Sequence, residues 1–201
     1  MSTLPSRRLT PEEYLEIERR AQVKSEYYNG EMFAMAGARW AHNLVVGNTF
    51  AELRQQLRTR PCAVTPSDMR VQVQATGLYT YPDVVVVCGE PLFKDDQRDT
   101  LLNPTVIVEV LSKSTEGYDR GKKFVHYRRI DSLREYVLVS QDRVCVEQYT
   151  LQEDRWVLAE WNRRDDVLRL TSVGCEISLR DLYAKVQVPE GEPRADTGHE
   201  G

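Results

Sequence analysis

The sequence predicts an α+β fold with an α/β-type core: one domain, built on a mixed β-sheet flanked by helices. Three observations lead there. Short β-branched runs crowd the middle and end of the chain, helical periodicities lie before and among them, and few strand–helix–strand units alternate cleanly. The chain has 201 residues, enough for one core that removes roughly 70% of the unfolded surface from water.

The elements follow in order. Thr10-Pro11-Glu12-Glu13 is a capping box with proline at the first helical position, so a helix is expected to about Arg20. Asn29-Gly30 is a strong hairpin signal and joins expected strands at about 23–28 and 31–36. Leu44, Val45, Phe50, Leu53 and Leu57 recur at helical spacing from about Ala38 to Arg60, where Pro61 stops the helix. Strands are expected at about 62–65 and 69–74, the latter closed by Gly77. Two apolar strands, about 83–88 and 105–111, frame a charged loop from Gly89 to Asn103. A helix over about 116–130 turns Phe124, Tyr127 and Ile130 inward. Strands at about 135–140, 144–150 and 155–161, a short strand near Leu168 and a helix at about 179–184 complete the body. Residues 1–8 are expected to be a flexible N-terminus, 9–187 the folded domain and 188–201 a disordered acidic tail.

Composition narrows the function classes. Hydrophobic residues make up 41% and charged residues 29%, the balance of a globular chain. The net charge is −4, but Glu190, Glu192, Asp196 and Glu200 face only Arg194 in the tail, so the body is nearly neutral. Overall charge therefore decides nothing about a nucleic-acid partner. Basic residues cluster at Arg54, Arg58 and Arg60, and at Lys113, Arg120, Lys122, Lys123, Arg128 and Arg129. Cys62, Cys88, Cys145 and Cys175 form no C-x-x-C pair, and His42, His126 and His199 stand at no zinc-ligand spacing. The cysteines read as small buried hydrophobes, and with no signal peptide or membrane span the expectation is a reduced, cytoplasmic protein.

The chemistry concentrates in two carboxylates. Asp83 opens the run Val84 to Val87, and Glu109 sits inside Val106-Ile-Val-Glu-Val-Leu111. An ionised carboxylate in such a strand costs several kcal/mol unless a cation or a hydrogen-bond network compensates it. If the two strands pair antiparallel about the loop midpoint near residue 96, position 83 falls opposite position 109. Opposed Cβ atoms lie ~5 Å apart, so both acids could serve one divalent ion, and oxygen-only ligands favour Mg²⁺. The plainer alternatives are that Asp83 caps the turn after Pro82 and that Glu109 pairs with an arginine such as Arg134.

Pro82-Asp83 followed by Glu109 resembles the signature of PD-(D/E)XK nucleases. A longer set is more specific: Thr10-Pro-Glu-Glu-Tyr, Glu26-Tyr-Tyr-Asn-Gly-Glu31, His42, Tyr81-Pro-Asp, Glu109-Val-Leu-Ser112, Asp119-Arg-Gly-Lys-Lys123-Phe with Tyr127, and Leu133-Arg-Glu-Tyr136. In order and spacing these segments resemble the Uma-type restriction-endonuclease family, over about residues 9 to 185. The resemblance implies a restriction-endonuclease-like core and a Mg²⁺ site (Mn²⁺ as substitute) held by Asp83, Glu109 and the backbone carbonyl of Val110. One departure stands out: where the pattern has a lysine two residues after the acid, this chain has Leu111. The resemblance moves that role to Lys123, with Lys113 and Lys122 as competitors; the plainer reading of Lys123 is a surface pair with Asp119. Glu26 and His42 are auxiliary candidates.

The implied activity is metal-dependent hydrolysis of DNA phosphodiesters, with DNA as partner and a homodimer to cut both strands. The competing reading is a nucleic-acid-binding or interaction protein with a degenerate nuclease site.

Overall fold

The computed structural model describes residues 8–191. Residues 1–7 of the expected flexible N-terminus 1–8 and the tail beyond Gly191 lie outside the described residues. The first residues of the expected tail are tied to the body: Val144 N donates to Pro189 O at 2.9 Å, and Gly191 N to Asn162 O at 3.0 Å.

The capping box forms as the sequence dictates. Thr10 accepts from Glu13 N while Glu13 reaches back to Thr10 N, opening α1 (Pro11–Glu18). The hairpin β1 (Ser25–Tyr28) and β2 (Glu31–Ala34) turns at Asn29 and Gly30, whose φ values of 51° and 84° are the left-handed pair such a turn requires. Next come α2 (Trp40–Leu57), β3 (Cys62–Pro66), β4 (Arg70–Val73), β5 (Leu78–Thr80), β6 (Val84–Cys88), β7 (Thr100–Leu101) and β8 (Val106–Leu111). The expected helix after β8 is α3, residues 116–127, with a π-helical turn over Asp119–Lys123 between two α-helical ends. The chain then runs through β9 (Glu135–Ser140), β10 (Val146–Gln152), β11 (Arg155–Trp161), β12 (Val167–Leu170), β13 (Cys175–Ser178) and α4 (Leu179–Leu182).

The strands divide among three sheets. Six strands in the order β11-β10-β9-β8-β6-β3 form the mixed central sheet, with β8 and β9 its parallel pair. A second sheet has the order β2-β1-β5-β4-β7, and β12 and β13 pair alone. The strands missed from sequence are β5, β7 and β13. β5 and β7 run only three and two residues, too short to display the alternation that reveals a strand.

The apolar runs in β6 and β8 are continuous because both faces of the central sheet are covered. Val84, Val86, Val106, Val108 and Val110 face Val45, Leu53 and Leu57 of α2 and Leu168, Leu170 and Ile177 of the β12–β13 hairpin. Val85, Val87, Ile107 and Leu111 face the opposite way, against Val71, Val73 and Leu78 of the second sheet and Tyr127 of α3. Glu109 alternates onto this second face. Tyr14 and Leu15 of α1 pack with Tyr27 and Tyr79 to secure the second sheet.

The cysteines correct one expectation. The β3–β6 register places Cys62 directly opposite Cys88, and the two are joined in a disulfide with Cα atoms 4.0 Å apart. The bond ties the edge strand β3 to β6, while Cys145 and Cys175 are buried free thiols. Short-range pattern could not identify the pair because 26 residues separate them. Denatured without reductant, the chain should therefore show two reactive thiols rather than four in a thiol-reagent titration. Four would remove the cross-link.

Candidate active site

The carboxylate pair forms where β6 ends. Val84 pairs with Val108 across the antiparallel β6–β8 ladder, and continuing that register sets Asp83 opposite Glu109, as the loop arithmetic predicts. The Asp83 carboxylate serves the ladder as an acceptor, in place of a strand carbonyl: Val110 N donates to Asp83 Oδ2 at 2.7 Å. The other Asp83 oxygen lies 3.0 Å from His42 Nε2 on the first turns of α2. In a strand the N–H and C=O of one residue point to the same side, so the Val110 carbonyl also faces the β6 side, where Asp83 sits.

Glu109 is held from above by α3. Lys123 Nζ lies 2.9 Å from Glu109 Oε1, and Tyr127 OH donates to the same oxygen at 2.7 Å. The ammonium also meets Glu26 at 3.1 Å and Asp119 at 3.5 Å. Asp119, Lys123 and Tyr127, each four residues from the next, share one inward face of α3 across its π-helical turn, and all three are buried. Glu26 reaches in from β1, its Oε1 accepting from Thr80 of β5. Three elements, β1, β8 and α3, thus bring carboxylates to one ammonium.

The electrostatics follow from burial. Removal from water, reinforced by Asp119 and Asp83 and opposed by Lys123, pushes the Glu109 carboxyl up to about 8. Burial on its own would lower Lys123, but Glu109, Glu26 and Asp119 outweigh it and hold the ammonium well above the usual lysine range. Burial also raises the Asp119 carboxyl. Three carboxylates therefore share one lysine, and Asp83 adds a fourth acid at the mouth.

The site residues read from sequence can be placed individually. Asp83, Glu109, Lys123, Glu26 and His42 come together through direct contacts or opposed register. Lys113 and Lys122 are exposed and form no ion pair with a described residue, so Lys123 is the lysine that reaches Glu109. Its contact with Asp119 is not the surface pair of the plainer reading, since both side chains are nearly inaccessible at 6% and 5%. Nor does Glu109 pair with Arg134, whose guanidinium donates to the carbonyls of Asp131 and Leu133. Sequence reading gave no role to Asp119, Thr80 or the Tyr127 hydroxyl; the only available sign was the spacing of four from Asp119 to Lys123 to Tyr127.

A hard divalent cation suits this donor set of carboxylate and carbonyl oxygens. Among the described residues no three His, Cys, Asp or Glu side chains form a group that could hold a metal by themselves. Mg²⁺ does not require one, because one or two carboxylates suffice while water and substrate phosphate supply the remaining ligands.

A family comparison decides the chain's kinship. The Uma2 family, described as "Putative restriction endonuclease", matches residues 11–181. The chain belongs to this family. Two Synechocystis sp. relatives carry the names "Uncharacterized protein sll1609" and "Uncharacterized protein slr1290". The first is 40% identical over 153 residues, covering 76% of this chain and 86% of the relative. The second is 36% identical over 180 residues, covering 89% and 93%. A crystal structure from Anabaena variabilis, described as "a putative nuclease belonging to DUF820", superimposes with a TM-score of 0.73 over 88% of this chain and 98% of that one. At 16% identity that likeness establishes the fold. In Uma2 terms, every quoted segment from Thr10 to Tyr136 lies in the matched range except Thr10 itself. Among the described residues, no helix is long and apolar enough to cross a membrane.

Proposed function

We propose that this Uma2 protein is a Mg²⁺-dependent DNA endonuclease of the PD-(D/E)XK type, with Mn²⁺ as an alternative ion. The observation that carries this reading is the opposed register of Asp83 and Glu109 at a sheet end, with Lys123 Nζ 2.9 Å from Glu109. The family's description supports the nuclease class and DNA as the substrate. Asp83, Glu109 and the Val110 carbonyl would hold the ion. Once bound, it would lower the pKa of a water and neutralise charge developing on the phosphate.

The protein groups have separate tasks in this reading. Lys123 supplies a fixed positive charge for the attacking water and the phosphate oxygens. Leu111 occupies the usual lysine position but is 4% exposed and packed in the second-face core, so the charge arrives from α3 instead. Tyr127 and the Val110 amide orient Glu109 and Asp83 through hydrogen bonds, and His42 holds the outer oxygen of Asp83.

The test is a cleavage assay on supercoiled plasmid and on single-stranded DNA with Mg²⁺ or Mn²⁺. Cutting is expected, and both excess chelator and Asp83→Asn should abolish it. DNA binding without cutting by the wild-type protein would instead assign it as a nucleic-acid-binding protein with a degenerate site.

A further inference from the structure

Three exposed aromatic rings stand on elements that build this site, and none contributes to a core cluster. Trp40 is 77% exposed, Phe33 49% and Tyr28 39%. Each belongs to an element that carries a group of the candidate centre. Phe33 is the cross-strand partner of Glu26, so the two side chains share a sheet face, and Glu26 contacts Lys123. Tyr28 lies two residues along β1 from Glu26, hence on that same face, and its ring meets His126 of α3 edge-on at 4.7 Å. Trp40 begins α2, two residues before His42, the residue bonded to Asp83.

We propose that these rings bind unpaired bases, and that the substrate delivered to the site is single-stranded nucleic acid. This rests on the nuclease reading above and specifies its substrate. Aromatic side chains exposed beside a phosphate-handling centre match the way single strands are held, since each splayed base offers a π-face. The charge distribution agrees. Arg39, adjacent to Trp40, and Lys113, just past β8, are exposed and form no ion pair with a described residue, so both can meet phosphates. Duplex binding draws on many phosphate contacts, whereas this chain pairs Arg19, Arg70, Arg120 and Arg164 with its own acids. In a duplex the bases are stacked on one another and unavailable to Trp40 and Phe33. A single strand also needs only one site per cut.

The test is fluorescence anisotropy of the full-length protein with a labelled oligothymidine of about 15 nucleotides and with a duplex of equal length, in chelator to prevent turnover. The single strand should bind at least tenfold tighter. Trp40→Ala and Phe33→Ala should each weaken it by about tenfold, the scale of one lost base stack, while Trp40→Phe largely restores it. Both side chains are exposed, so an unchanged circular dichroism spectrum is expected for each variant. Equal or tighter duplex binding, or alanine variants within twofold of wild type, overturns the proposal. So does a wild-type mass of two chains that falls to one in Trp40→Ala, which would assign the rings to a second copy. The two readings fail separately. Single-strand cutting indifferent to Trp40→Ala sinks this inference and leaves the nuclease, whereas ring-dependent single-strand binding without any cutting supports this inference and sinks the nuclease.

Discussion

Lys123→Met should reduce DNA cutting by about 10²–10³-fold, the usual cost of losing one preorganised charge at a reacting phosphate or acyl centre, and should destabilise the fold as well. Lys123 is the shared cation of Glu26, Glu109 and Asp119. Methionine fills a similar volume but leaves three carboxyls facing each other out of water. Removing one partner of a buried ion pair costs about 3–5 kcal/mol. Glu109 and Asp119, whose carboxyls burial already raises, can escape part of that cost by binding protons, so their pKa values in the folded variant rise further above those of the unfolded chain. Stability carried by a raised carboxyl is present at low pH and lost as pH rises through its folded value. The deficit should therefore be smaller near pH 5 than near pH 8. Urea midpoints of wild type and variant at both values measure it. Lys122→Met, at the exposed neighbouring position, should change stability by no more than about 0.5 kcal/mol. Equal midpoints for Lys123→Met and wild type would mean that the lysine does not neutralise the cluster.

Glu135→Ala should be the most damaging change away from the candidate site. Glu135 is fully buried at the start of β9, and its carboxylate accepts from Gln148 Nε2 at 2.9 Å, Thr171 N at 2.9 Å, and the Thr171 and Ser172 hydroxyls. Thr171 and Ser172 belong to the turn joining β12 and β13, so one side chain pins that hairpin to the central sheet. Alanine would strand several buried donors and leave a void. Each unsatisfied buried donor costs about 1–3 kcal/mol, and a total near 3–5 kcal/mol is expected after relaxation. Thermal unfolding should register the loss, and hydrogen exchange should show it first in the β12–β13 hairpin. Exchange unchanged at β12–β13 would contradict the pinning role. Cutting per folded molecule should be nearly unaffected, because Glu135 contacts no residue of the acid cluster.

Much of the candidate site was legible in one dimension. The opposition of Asp83 and Glu109 follows from loop length and the antiparallel habit of neighbouring strands, and β6–β8 adopts that register. The pairing of Glu26 with Phe33 follows equally from the Asn29-Gly30 turn. Glu135 was different: in the sequence it is one polar residue before an apolar strand. Its partners Thr171 and Ser172 lie more than thirty residues downstream in a turn, and no local pattern announces them.

The sequence by itself determined the capping box, the hairpin register, the continuous apolar runs that bury both faces of β6 and β8, and the opposition of two acids. All of these depend on periodicity and turn chemistry within some twenty-five residues. The tertiary structure alone decided which lysine reaches Glu109, how strands as short as β5 and β7 are recruited, and that Cys62 meets Cys88. The physical reason is one of range. Backbone conformation answers to neighbours in sequence, whereas a buried charge must be neutralised by whatever group packing brings to it from a distant segment.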